Sequence, residues 1–102
     1  MEINIIRNYC NNKKLRWTRH IFLRMTQRNI SMSDVESAIL NGEIIESYPD
    51  DYPEPSCLIL GLDNDNESLH VVCSIHEGEL WLITAYRPNS DKWNSDGKTR
   101  KE

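Results

Sequence analysis

The sequence predicts an α+β domain in which two to three N-terminal helices pack on one face of a four-stranded antiparallel sheet. Helical periodicity is confined to residues 2–41, and extended apolar segments begin only at residue 43. Turn-forming residues separate those extended segments at short intervals. A chain of 102 residues is long enough for one core and too short for two. We therefore expect a single domain over residues 1–94 and a polar, mobile tail over residues 95–102.

The first and third predicted helices are defined by apolar spacing and by end signals. The first covers residue 2 to about 12, and its apolar side consists of Ile3, Ile6, Tyr9 and Cys10. The third covers about 34 to 41, because Ser33 and Glu36 stand at capping-box spacing. Asn41-Gly42 then forms a stop signal.

The second predicted helix carries most of the residues with chemical potential. Thr18 is a suitable N-cap, and the helix should end near Asn29. At helical spacing an apolar stripe forms, consisting of Trp17, Ile21 and Met25. A neighbouring stripe consists of His20, Arg24 and Arg28. The apolar stripe would anchor the helix on the core and hold the other stripe at the border of a groove.

The predicted strands cover residues 43–48, 57–62, 69–76 and 80–86. The last two form a hairpin around Glu77-Gly78. A two-residue turn would place Tyr86 on the sheet face opposite to His70, and a three-residue turn would reverse that relation. After Pro88 the chain is mostly polar apart from Trp93.

Cysteine usage and hydropathy limit the class of protein. The three cysteines are widely spaced and include no Cys-x-x-Cys pair, so we expect reduced, buried thiols. No segment approaches the roughly 18 apolar residues of a membrane span. The first residues also lack the apolar region of a signal peptide. We expect a cytoplasmic protein with no membrane partner.

Charge is distributed unevenly along the chain. Seven basic residues and one acidic residue precede Ser31, whereas Ser31 to Tyr86 contains twelve acidic residues and no Lys or Arg. This asymmetry predicts a basic patch that could bind phosphate, or two halves that attract each other within the fold. The net charge of -4 argues against strong non-specific binding of nucleic acid.

Several ordered motifs resemble one family of small bacterial proteins. They are Trp17-Thr18-Arg19-His20, Arg24-Met25, Arg28, Gly42 to Glu46, Tyr48 to Pro53, Pro55-Ser56, Leu69 to Val72, Ile83 to Tyr86 and Lys92-Trp93. The family is domain of unknown function 4258, and Asn29 stands where it commonly has glycine. That family is distantly similar to the RelE/ParE-like toxins, compact α+β domains that include ribonucleases and proteins paired with antitoxins.

The resemblance implies a metal-independent ribonuclease of a toxin-antitoxin pair. RNA or the ribosome would be its target, an antitoxin protein its partner, and no cofactor would be needed. Such cleavage requires a base, an acid and a cation to stabilise the phosphorane. The implied catalytic residues are His20, His70 and Tyr86, and the implied phosphate-binding residues are Arg24 and Arg28.

Ordinary structural roles compete with each of these assignments. His20 could bond within the fold, the arginines could form ion pairs, His70 could be a core histidine, and Tyr86 could only pack. His20, His70, His76 and Cys73 have no metal-ligand spacing, so no metal site is predicted. The alternative function is a non-catalytic interaction domain, in which the basic helix binds an acidic partner or the sheet edge accepts a strand.

Overall fold

The computed structural model describes residues 1–102 and contains three helices and one five-stranded mixed sheet. In chain order the elements are α1 (Ile3–Asn11), β1 (Leu15–Trp17), α2 (Arg19–Arg28), α3 (Met32–Asn41), β2 (Glu43–Tyr48), β3 (Ser56–Leu62), β4 (Ser68–His76) and β5 (Glu79–Tyr86). The strand order is β1-β5-β4-β3-β2. The α+β class and the three helices are confirmed. None of these helices is both long and apolar enough to cross a membrane.

The prediction of a four-stranded, wholly antiparallel sheet was wrong because of β1. This strand pairs parallel to β5, with Leu15 opposite Leu80 and Trp17 opposite Leu82. Backbone bonds from Leu80 to Lys14 (2.9 Å) and from Thr18 to Leu82 (3.4 Å) flank the pairing. A three-residue strand is too short to show periodicity, so the sequence suggested only a lead-in to α2.

Both ends of α2 lie where the sequence placed them. The Thr18 hydroxyl accepts the Ile21 N–H at 3.2 Å and donates to the Leu82 carbonyl at 2.9 Å. The helix therefore begins at a residue that is also bonded to β5. Asn29 ends it in the left-handed conformation, with φ 55° and ψ 49°. Glycine and asparagine tolerate that conformation, which explains why asparagine suits this position.

The predicted capping box of α3 was wrong by two residues. Ser31 is the N-cap, and its hydroxyl accepts the Asp34 N–H at 2.9 Å. The Asp34 carboxylate accepts the Ser31 N–H at 3.0 Å in return. An aspartate at the third helical position closes the box here in place of glutamate, so α3 begins earlier than the Ser33–Glu36 spacing indicated.

The core lies between the helices and one face of the sheet. The predicted apolar stripe of α2 contributes the buried Ile21 and Met25. All three cysteines are free and buried, as expected. Gly61 permits the close approach of α3 to β3, because a Cβ there would stand 1.9 Å from the carbonyl oxygen of Ala38.

A bulge in β5 decides which side chains share a sheet face. The hairpin has the predicted two-residue turn, since His76 pairs with Glu79. The register then shifts, and Ile83 is the extra residue between the Cys73–Leu82 and Val72–Thr84 pairs. The predicted separation of His70 and Tyr86 was therefore wrong: they are direct partners on the same face.

Residues 88–102 cross the face of the sheet opposite to the helices. Trp93 is buried there, with its ring centroid 4.6 Å from that of His70. The Gly97 carbonyl accepts a hydrogen bond from His70, and Arg100 pairs with Glu46 on β2. The C-terminal residues thus contact both a central strand and an edge strand. The mobility of residues 95–102 stays a prediction for hydrogen exchange to measure.

Candidate functional site

A cleft of about 750 Å³ lies where the end of β5 meets the end of α2 and the C-terminal segment. We call it the basic cleft, and its lining residues are Arg28, Tyr86, Arg87, Asn89, Lys92, Trp93 and Arg100. Four of the seven are cationic and none is acidic. Its volume lies within the roughly 300–1,000 Å³ of small-ligand sites.

Arg28 and Arg87 are fixed in the cleft by backbone contacts. Nη1 of Arg28 donates to the Ala85 carbonyl at 2.7 Å, which joins the end of α2 to β5. Nη1 of Arg87 donates to the Arg28 carbonyl at 3.1 Å, and its Nη2 lies 3.2 Å from the buried carboxylate of Asp63. The two guanidinium groups therefore keep defined positions while Arg28 retains unpaired donors.

Arg100 belongs to a network that links the C-terminal segment to β2. Its Nε and Nη2 donate to the two carboxylate oxygens of Glu46 at 2.7 and 2.9 Å. This pairing lowers the pKa of Glu46 and raises the pKa of Arg100. The guanidinium also lies 4.5 Å from the centroid of the Trp93 ring. Arg100 is consequently held against the wall of the cleft as a fixed cation.

Tyr86 is the one phenol in the basic cleft. Burial raises its pKa above the usual value of 10.0, so the hydroxyl stays protonated at neutral pH. The positive charges of Arg100 and Arg28 oppose that shift in part. No protein hydrogen bond contributes to the shift. A protonated hydroxyl beside several cations can donate a hydrogen bond or a proton to a bound anion.

His70 lies behind the cleft and is fully buried. Its ring meets Tyr86 edge to face at 5.2 Å between centroids, and Trp93 contacts it in the same way. Nε2 lies 2.6 Å from the Gly97 carbonyl, which can only accept, so Nε2 carries the proton. Nδ1 has no partner. Burial lowers the pKa of His70, so the ring is neutral at pH 7. Because the ring is fully buried, it is also inaccessible to substrate.

His20 and Arg24 lie outside the basic cleft. His20 is exposed in the first turn of α2, eight residues before Arg28, which is about 12 Å along the helix axis. Arg24 donates to the side chain of Gln27 at 2.9 Å. Of the five predicted site residues, the structure therefore brings Arg28 and Tyr86 together in the cleft, with His70 behind them. No group of three or more His, Cys, Asp or Glu side chains is arranged to hold a metal ion.

A family model described as "Domain of unknown function (DUF4258)" matches residues 17–87, which is most of the chain. The chain belongs to this family. No curated protein and no solved structure gives a significant match. The DUF4258 match includes all five predicted site residues. It ends at residue 87, so four of the residues that line the cleft lie beyond the matched region: Asn89, Lys92, Trp93 and Arg100.

Sequence reasoning missed the cleft residues that follow Tyr86 in this DUF4258 protein. Arg87, Lys92 and Arg100 occur in a polar segment without periodicity, and nothing local indicated that this segment crosses the sheet. The available signal was Trp93, a single large aromatic residue among polar neighbours. Such a residue tends to be buried, and its burial brings the flanking cations to the cleft.

Proposed function

We propose that this chain binds single-stranded RNA in the basic cleft and cleaves it without a metal ion, as a toxin-like ribonuclease. The observation that carries the proposal is the group of four cationic side chains around the protonated hydroxyl of Tyr86. The resemblance to RelE/ParE-like toxins that we expect from the sequence points to the same chemistry, and the antitoxin partner rests on that resemblance alone.

The charge balance of the cleft favours a polyanion. Arg87 and Arg100 are neutralised by Asp63 and Glu46, whereas Arg28 and Lys92 form no salt bridge. Two uncompensated cations beside two fixed guanidinium groups can hold one phosphate and attract its neighbours along the strand. The overall net charge of -4 does not prevent this, because none of the residues that line the cleft is acidic.

The cleft residues can support transesterification at the bound phosphate. The 2′-oxygen of the ribose attacks phosphorus, the bond from phosphorus to the 5′-oxygen breaks, and a cyclic phosphate forms. Tyr86 donates its proton to the departing 5′-oxygen and regains one from water. The proton of the 2′-hydroxyl passes to solvent. The carboxylate of Glu46 does not serve as the base, because both of its oxygens accept hydrogen bonds from Arg100. Arg28 and Lys92 stabilise the additional negative charge of the phosphorane.

With Tyr86 as the acid, neither of the two histidines predicted to be catalytic, His20 and His70, takes part in proton transfer. His70 is buried and acts through packing, because its ring contacts those of Tyr86 and Trp93. His20 is two turns of helix away from Arg28, so it can contact RNA only where a strand extends along α2. Within the DUF4258 region, the residues that touch the reacting phosphate in this proposal are Arg28 and Tyr86.

The proposal is tested with end-labelled RNA, in the presence and absence of EDTA and of ribosomes. We expect the wild-type protein to cleave in EDTA and to leave 2′,3′-cyclic phosphate and 5′-hydroxyl ends. Tyr86→Phe should lower the cleavage rate about 100-fold, because the acid is lost while the ring remains. His20→Ala should change the rate by less than about threefold.

Each alternative result has a defined meaning. Loss of cleavage in His20→Ala with full activity in Tyr86→Phe would move the catalytic site to the start of α2. Absence of cleavage by the folded wild-type protein under every condition would reject the ribonuclease. A circular dichroism spectrum and melting temperature for each variant separate loss of activity from loss of fold.

One observation favours the second candidate function, a non-catalytic interaction domain. α2 exposes Phe22 and Leu23 by 44% and 55%, next to the exposed Arg19 and His20. An acidic partner with an apolar surface could cover this side of the basic helix. Under this function, RNA would remain intact and a protein complex would weaken as salt increases.

A further inference from the structure

A second cavity, of about 280 Å³, lies on the same sheet face as the basic cleft but near the β4–β5 hairpin. We call it the aromatic pocket, and its main walls are Asp51, Tyr52, Glu54, His76, Trp81 and Ile83. It shares no lining residue with the basic cleft. Trp81 precedes Tyr86 by five residues on β5, which places the two sites about 16 Å apart.

Aromatic surface is available to a ligand in this pocket. Tyr52 is 94% exposed in the proline-rich loop between β2 and β3, the most exposed of the large apolar and aromatic residues. Trp81 already carries a cation, because the guanidinium of Arg16 lies 5.3 Å from its ring centroid. That guanidinium is neutralised by Glu79 at 2.9 Å. The Trp81 ring is thus already in contact with one guanidinium in this protein.

The pocket has negative charge and no cationic wall. The carboxylates of Asp51 and Glu54 line it, and no Lys or Arg does. Glu54 also lies 3.0 Å from Nδ1 of His76, and Glu77 approaches the other ring nitrogen at 3.5 Å. Phosphate would be repelled here, so the pocket does not extend the RNA site.

We propose that the aromatic pocket binds the guanidinium group of an arginine side chain presented by a protein partner. A guanidinium is planar, stacks on aromatic rings and donates two parallel hydrogen bonds to a carboxylate. Tyr52 and Trp81 provide the rings, and Asp51 and Glu54 provide the acceptors. Arginine is also frequent among the residues that dominate protein interfaces. This proposal is independent of RNA binding in the basic cleft.

The test uses the tripeptide acetyl-Gly-Arg-Gly-amide and its citrulline analogue, followed by NMR of the ¹⁵N-labelled protein. Nε1 of Trp81 donates to the His76 carbonyl at 3.2 Å, which makes its indole resonance a reporter within the site. We expect saturable shifts of that resonance and of residues 51–54, with a Kd on the order of 1 mM. Citrulline is similar in shape but uncharged, and it should bind about tenfold more weakly.

Variants distinguish binding in the aromatic pocket from non-specific attraction of the peptide to negative charge on the surface. Glu54→Gln and Trp81→Leu should each weaken binding of the arginine peptide about tenfold. Glu43→Gln is the matched control, because Glu43 is an exposed glutamate that pairs with Lys98 outside the pocket. Equal binding of both peptides, equal effects of Glu43→Gln and Glu54→Gln, shifts at Trp93 in place of Trp81, or no shift would each overturn the proposal.

Discussion

His70 is a neutral residue in the middle of an aromatic cluster, and its environment links stability to pH. Burial lowers the pKa of the folded imidazole below its ordinary value of 6.5. As the pH falls below 6.5, the unfolded chain therefore takes up a proton that the folded chain resists. The contribution to stability is fully present above pH 6.5 and is lost as the pH falls from there toward the folded-state pKa.

We expect His70→Gln to reduce the pH dependence of stability. Glutamine cannot titrate, and its amide can still donate toward the Gly97 carbonyl. Urea unfolding at pH 7.5 and 5.5 gives the change in the free energy of unfolding for each protein. His20→Gln is the control, because its side chain is exposed. If His70→Gln and the wild type showed an equal pH dependence of the free energy of unfolding, His70 would not be the source of that dependence.

The candidate site could be predicted from sequence only as far as its local residue types. Arg28 and Tyr86 were selected together, and both line the cleft. The proximity of Tyr86 to His70 depends on the bulge at Ile83, which changes residue parity without any distinctive sequence signal. Lys92 and Arg100 reach the site through long-range packing of Trp93, which local periodicity does not report.

Thr18 connects three elements of the fold: β1, α2 and β5. Its hydroxyl caps α2 at Ile21 and bonds to the Leu82 carbonyl. We expect Thr18→Ala to lower the free energy of unfolding by about 1–2 kcal/mol, because the Ile21 N–H loses its capping oxygen and the Leu82 carbonyl keeps only the backbone N–H of Thr18. Chemical denaturation of the purified variant measures this change.

Thr26→Ala is the matched control for Thr18→Ala. The Thr26 hydroxyl bonds only to the Phe22 carbonyl within the same helix, at 3.0 Å. Its removal should therefore change the free energy of unfolding by no more than about 0.5 kcal/mol. Similar losses in the two variants would contradict the role of Thr18 as a junction between α2 and the sheet.

At the level of elements, helices were more predictable than sheet topology. The boundaries of α1 and α2 follow from amphipathic spacing and from the Thr18 cap. The four predicted strands are all present, because each is a continuous apolar segment between turn residues. β1 was missed because a three-residue strand is too short to show periodicity and because its partner, β5, is distant in sequence. Its pairing depends on tertiary contacts.

Across the whole molecule, opposite charges are separated on one sheet face. The basic cleft contains Arg28, Arg87, Lys92 and Arg100, whereas the aromatic pocket contains Asp51 and Glu54. The cationic residues come from both the N-terminal half and the C-terminal segment. Folding therefore concentrates positive charge at one site in a chain of net charge -4. The affinity for a polyanion should therefore depend on where the cationic side chains of the protein lie and not on their total number.

The most direct test of this conclusion compares RNA affinity in two double variants of equal charge. Arg28→Gln with Lys92→Gln removes two cations from the cleft, and Lys14→Gln with Arg19→Gln removes two from elsewhere. Fluorescence anisotropy with a labelled single-stranded RNA at several salt concentrations gives Kd and its salt dependence. We predict at least about a tenfold loss and a salt slope smaller by about 1.4 for the cleft variant, with little change in the control. Equal losses in the two folded variants would contradict the basic cleft as the RNA-binding site.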